Sequence, residues 1–343
     1  MNALADRSIN LSFFMFTANL QPTDPAYTQV LIKHLAAMTE IGYGGFDLPI
    51  APQPTFDHRS EVDSYRRLKD AFVEAGYENI RFTTNVGTTR TFDPTSPYAD
   101  QRALALSYLK SRVEITHVLG GPSIMAGPFL FPYGVFPTTD AGEPIWSDAL
   151  QDWLKPRYRF ASEVFDELGA FAERLGVKLG IEPVDHWETP APNTVSDVLQ
   201  FLAKVQPKQA GVTIDSAHVV LGSTGPEVFR ENVRDAVAQK RLHYVHLSPP
   251  DRGALKDSWI PWETFLPPIL PVYDGPLLVE VFNAVPPFVN LMRLSRRKFW
   301  IPGEDSPVVG TPSAYVVAQE GWDVVRQKLE WFATTQQTES TTR

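Results

Sequence analysis

Cysteine is absent from all 343 residues, which removes disulfide frameworks, thiolate zinc sites and thiol nucleophiles together. A basic surplus is absent too: the formal net charge is −9, and a nucleic-acid partner would reward the opposite sign. No apolar run approaches the roughly 18 residues that a membrane span requires. Met1 to Asn10 lacks the basic-then-apolar pattern of a secretion signal. The expectation is a cytoplasmic protein that takes a small molecule, with no nucleic acid and no membrane.

What is present is an ordinary globular composition, 43% hydrophobic and 21% charged, long enough for one large barrel or two smaller domains. Eight β-branched or aromatic runs alternate with segments of helical period: 11–16, 45–50, 80–86, 123–126, 177–182, 211–215, 242–247 and 277–282. The apolar stripe from Tyr27 to Met38 closes on Gly42, and that from Phe160 to Leu175 closes on Gly176. Thr194 with Asp197 three residues later marks a further helix start. Such alternation forces parallel pairing with right-handed crossovers, and eight units close into a (β/α)8 TIM barrel. An open doubly wound sheet would carry a Gly-rich phosphate turn after its first strand, and Phe16-Thr17-Ala18-Asn19-Leu20 is no such turn. The reading is a single barrel domain over 1–332, with extended loops at the mouth and a disordered polar tail over 333–343.

Four consecutive strands end in ligand-type residues: Glu182, Asp215, His246 and Glu280, spaced by 33, 31 and 34 residues. In a barrel those ends form the C-terminal mouth, where active sites are built. If the four point inward, Gly180, Thr213, Tyr244 and Leu278 share their face, and Ile181, Ile214, Val245 and Val279 face the helices. The second set is uniformly aliphatic, as a layer between sheet and helices requires. Three carboxylates and an imidazole held together call for a cation. Oxygen-rich ligation with one histidine favours Mn²⁺, with Mg²⁺ or Co²⁺ as alternatives, over a thiol-type zinc site. His34 and His117 read as helical structural or solvated residues, and His58 as a loop residue.

This order of residues resembles the xylose isomerase-like, sugar phosphate isomerase/epimerase barrels, and within them the ketose 3-epimerases that act on D-tagatose and D-psicose. The motifs are "IEPVDHWE", "DSAH", "HLSPPDR" and "VEVF". The resemblance implies Glu182, Asp215, His246 and Glu280 as metal ligands, with Glu182 and Glu280 also exchanging a proton beside a ketone through a metal-stabilised enediolate. It implies Glu188, His218 and Arg252 as substrate contacts. With the metal, three ligand carboxylates, Glu188 and Arg252 counted, the mouth is formally −1, so a neutral keto-sugar or keto-glycoside is expected rather than a phosphate.

Two stretches depart from a compact epimerase: "GPFLFPYGVFP" from Gly127 and the segment 285–303 containing "RRKFWIPG". As an apolar vestibule they would suit a sugar bearing an aromatic group. That keeps an alternative open, β-elimination of the kind carried out by the related C-glycoside deglycosidases, whose barrel subunit works with a small partner subunit. Exposed aromatic loops also predict a homo-oligomer. A non-catalytic binding barrel is the further alternative, and a trinuclear DNA-repair nuclease on this fold lacks the histidines it would need.

Overall fold

The computed structural model describes residues 7–16, 22–50, 57–222, 224–282 and 299–341. Eight parallel strands close a barrel in chain order: β1 (Ile9–Ser12), β2 (Gly45–Pro49), β3 (Arg81–Asn85), β4 (Ile124–Gly127), β5 (Lys178–Ile181), β6 (Ala210–Asp215), β7 (Leu242–Leu247) and β8 (Leu277–Val279). The last strand pairs with the first, Leu278 opposite Asn10. Outside lie α1 (Pro25–Ile41), α2 (His58–Glu74), α3 (Ala99–Leu119), α4 (Ser147–Leu175), α5 (Val195–Leu202), α6 (Ser216–Gly222), α7 (Pro226–Ala238), α8 (Trp262–Ile269) and α9 (Ala314–Thr341). The barrel expectation holds strand for strand.

Local chemistry explains the helix ends. Gly42 and Gly176 both cap their helices in the left-handed region, φ 118° and 67°. Thr194 and Asp197 form a reciprocal capping box: Asp197 N–H donates to Thr194 Oγ1 at 3.2 Å and Thr194 N–H to Asp197 Oδ2 at 2.9 Å.

Two expectations change. The first strand is shorter than 11–16, because Ser12 accepts from Phe14 N–H and Phe13–Met15 turn into a short 3-10 helix. His58 opens α2 rather than lying in a loop, with Asp57 as its N-cap. The last helix, α9, runs to Thr341, with Ala333 buried and the Thr334 and Thr335 hydroxyls donating to the carbonyls of Glu330 and Trp331, both at 2.9 Å. No glycine or proline interrupts residues 333–341. Thr17 to Leu20 and most of the 285–303 segment lie outside the described residues.

The two-face prediction holds in the packing. Ile181, Ile214, Val245 and Val279 join the large core between sheet and helices, whereas Tyr244 and Leu278 form a separate cluster inside the barrel with Ile124 and Ala126. Gly180 keeps the interior open beside them, since a Cβ there would run into Thr213 Oγ1.

Candidate active site and metal centre

Glu182, Asp215, His246 and Glu280 meet at the C-terminal mouth, fully buried, each offering a ligand atom within 4.8 Å of the others. Sheet register brings them there. Asp215 and His246 are direct neighbours on β6 and β7. Glu182 lies one residue past β5, its N–H donating to Gly127 O at 3.0 Å, and Glu280 one residue past β8, its N–H donating to Leu247 O at 3.0 Å. His246 Nδ1 stands 3.1 Å from Glu182 Oε1 and 3.7 Å from Glu280 Oε2.

Concentrated carboxylates in a dry site shift one another. Burial pushes Glu280 up to about 7, with Glu182 and Asp215 adding to the rise and His246 opposing it. Burial alone would depress His246, but Glu182 and Glu280 hold it well above an ordinary imidazole. Asp215 moves the other way: burial would raise it, yet Arg252, His218 and His246 hold it well below the usual carboxylate range. Its oxygens accept from Ser248 Oγ at 2.8 and 2.9 Å, Arg252 Nη1 at 2.7 Å and Ala217 N–H at 2.7 Å. Three buried carboxylates and one imidazole, close enough to share one cation, fit a hard divalent ion by the chemistry of their donors.

Glu188, His218 and Arg252, the residues expected to contact substrate, also lie together. His218, on α6, has Nδ1 3.3 Å from Asp185 Oδ1 and 3.8 Å from Glu188 Oε2, and its Nε2 accepts from Arg252 Nη2 at 2.5 Å. Burial and Arg252 lower its basicity, and Asp185, Asp215 and Glu188 overcome them. Glu188 accepts from Tyr133 O–H at 2.8 Å and from Asp185 N–H at 3.0 Å. Arg252 is held in the left-handed region, φ 57°, its N–H on Pro249 O and its guanidinium 5.2 Å from the Phe282 ring.

Sequence reasoning missed four participants: Asp185, Tyr133, Ser248 and Asn85, the last with Nδ2 3.5 Å from Glu280 Oε1. All but Asn85 lie in loops, where no periodicity marks direction. The "GPFLFPYGVFP" loop also divides. Phe129, Leu130 and Phe131 are core, Phe129 stacking on Phe165 of α4 at 5.9 Å, and the stretch beyond them, with Tyr133, Gly134 and Val135, reaches the mouth. There a cavity of about 510 Å³ has Phe14, Ile50, Val135 and Phe282 on its apolar side and Glu188, His218, Arg252 and Arg90 on its polar side.

Residues 35–298 match the model of the xylose isomerase-like TIM barrel family. The chain belongs to that family. Among solved structures, a candidate sugar phosphate isomerase/epimerase from Anabaena variabilis superposes with a TM-score of 0.90 at 53% identity, covering 94% of this chain and 98% of that one. Among curated members, the ketose 3-epimerase of Arthrobacter globiformis is 28% identical over 144 residues, 40% of this chain and 48% of that protein. The match thus spans about half of that relative's length. The L-ribulose 3-epimerase of Methylomonas sp. is 24% identical over 230 residues, 66% of this chain and 74% of that protein. These relatives are named as sugar isomerases or epimerases. Among the described residues, no helix is long and apolar enough to cross a membrane.

Proposed function

We propose that this chain is a divalent-metal-dependent enzyme that moves the proton beside the ketone of a neutral keto-sugar, in the manner of an epimerase or isomerase. The observation that carries this reading is the convergence of Glu182, Asp215, His246 and Glu280 from β5 to β8 at one buried point facing the mouth cavity. Those four would hold the ion, Mn²⁺ being favoured by the donor set. A bound divalent cation supplies Lewis-acid polarisation of the ketone and its neighbouring hydroxyl.

The chain's own groups do the rest. Glu182 and Glu280 exchange the carbon-bound proton from opposite faces, one removing it and the other returning it to the enediolate. Glu280 suits that task because burial already pushes it towards neutrality, and general acid–base help is worth roughly 10²–10⁴ in rate. Glu188, held by Tyr133, and His218, held between Asp185 and Arg252, present fixed polar groups to the sugar oxygens beside the reacting carbon. Buried Asp185 and exposed Arg90 both border this region and offset each other, so the mouth keeps its formal −1 and a neutral substrate remains the expectation.

Incubating D-fructose in D₂O with Mn²⁺-loaded protein tests the reading, with a chelated sample and Glu280→Gln as controls. Uptake of one deuteron per sugar, metal-dependent and lost in Glu280→Gln, is expected. No uptake from protein shown to hold metal would remove the free-ketose reading. The apolar side of the cavity, with Phe14, Ile50, Val135 and Phe282, then favours the second reading: elimination of an aromatic aglycone from a keto-glycoside, begun by the same proton removal.

A further inference from the structure

Among the described residues of β1 to β4, only Pro49 and Asn85 border the mouth cavity, and Asn85 is the one with a polar side chain. Alternation along β3 sets its direction. Phe82 stacks on Phe72 of α2, and Thr84 Oγ1 meets Thr116 Oγ1 of α3 at 2.6 Å, so Thr83 and Asn85 face the interior. Thr83 donates to Asp47 Oδ1 at 2.5 Å inside the barrel, whereas Asn85, at the end of the strand, reaches the cavity with Glu182 and Glu280. Gly127, at the end of β4, leaves the amide its space: a Cβ there would stand 2.8 Å from Asn85 Oδ1.

Asn85 is buried, yet its side chain makes one hydrogen bond to the described residues, and a long one: Nδ2 donates to Glu280 Oε1 at 3.5 Å. An amide carries two donor hydrogens and an acceptor oxygen, and burying it with most of that capacity unused costs free energy. Glu280 has its two oxygens turned apart. Oε2 lies 3.7 Å from both His246 Nδ1 and Arg252 Nη1, and Oε1 faces Asn85. Asn85 therefore stands beside the glutamate oxygen that is directed away from His246 and Arg252. A neutral amide suits that place, because a carboxylate there would repel Glu280. A sugar hydroxyl, which both donates and accepts, is its natural complement.

We propose that Asn85 is a further substrate-binding residue that bridges glutamate and sugar: Nδ2 fixes Oε1 of Glu280, and Oδ1 accepts a hydroxyl of the keto-sugar within one carbon of the reacting pair. The inference rests on the reading of Glu280 as a proton-exchanging group acting on a keto-sugar. One rigid amide then holds both the sugar and the oxygen that takes its proton, which is how positioning contributes to rate. The 3.5 Å separation fits a contact that tightens when substrate fills the cavity, as catalytic hydrogen bonds commonly do. The substrate must carry a free hydroxyl on the side that faces β3.

Deuterium uptake in D₂O at saturating Mn²⁺ compares wild type with Asn85→Ala on D-fructose and on its 1-deoxy, 3-deoxy and 4-deoxy analogues, with thermal melts to check folding. On D-fructose, Asn85→Ala should lower kcat/KM by roughly 10- to 100-fold, mostly through kcat, because the sugar still binds but is held out of line. On the analogue that lacks the hydroxyl met by Asn85, the same substitution should cost less than about threefold, since that contact is already gone. A loss on D-fructose below about threefold, or equal losses on all four sugars, overturns the proposal. If wild type takes up no deuterium, the keto-sugar reading falls separately, and the amide decides for Asn85. In protein labelled with ¹⁵N-asparagine, its side-chain signals, identified by their loss in Asn85→Ala, shift in Glu280→Ala if Nδ2 holds Oε1, and unmoved signals overturn the proposal. If Asn85→Ala does not fold, Asn85→Leu, of similar size and with neither donor nor acceptor, decides through the same measurements.

Discussion

Glu280 faces the most demanding environment of any residue in the site. It is buried beside two other carboxylates, and its proton leaves only as pH rises through about 7, whereas Asp215 is already ionised far below that. His246 is held well above its ordinary value by Glu182 and Glu280. A cation binds the deprotonated forms, so below about pH 7 it must displace protons to enter, and affinity falls by roughly tenfold per unit for each proton displaced. Calorimetry with Mn²⁺ between pH 5.5 and 8, in buffers of different ionisation enthalpy, should show protons released on binding and an affinity that climbs with pH. An affinity flat across that range would mean that Glu280 and His246 do not ligate. The four residues of the cluster were readable because each sits on a strand or one residue past its end, where alternation still fixes direction and an inward carboxylate needs a reason. Asp185, Tyr133 and Ser248 were not, because loop residues have no periodic frame.

At the scale of elements, the units after β5 and β6 position most of the residues proposed to meet the substrate. Glu188 and Asp185 lie between β5 and α5, and α5 begins at the Thr194–Asp197 capping box, whose Asp197 also receives Asn193 N–H at 3.1 Å. Asn193 Nδ2 donates to Val184 O at 2.8 Å and Thr189 O at 3.1 Å, so the cap and the substrate loop are tied together. Thr194→Ala should cost about 1 kcal/mol of stability, seen as a lower urea midpoint with an unchanged slope. An unaltered midpoint would show that the loop, not the box, fixes the start of α5. Strand existence was legible throughout, since buried parallel strands are short apolar runs between helices. Strand ends were less so. The apolar run at 11–16 continues past the point where the Ser12 hydroxyl captures Phe14 N–H and turns the backbone.

For the molecule as a whole, the ligand set has a consequence that no single strand shows. The four residues of the proposed metal centre come from β5 to β8, one from each, so a cation held there would cross-link one half of the barrel and leave the other untouched. That half includes β8, only three residues long, which closes the barrel against β1 through Leu277, Leu278 and Val279. A short closing strand is where a barrel opens most readily, because few hydrogen bonds need to break. Glu280, one residue beyond it, would tie β8 to the residues of β5, β6 and β7 once a cation is shared, across the β7–β8 pairing. Any ligand bound only by the folded state adds RT ln(1 + [L]/Kd) to global stability, about 2.7 kcal/mol at one hundred times Kd, and slows exchange through global unfolding equally everywhere. Openings confined to the β7–β8 seam should slow further. Hydrogen exchange with and without saturating Mn²⁺ should therefore show the largest gain at amides such as Glu280 N–H, which donates to Leu247 O, and a smaller, uniform gain in β2 and β3. Equal slowing in all eight strands would mean that the seam never opens on its own, and larger slowing in β2 and β3 would place the cation elsewhere in the barrel.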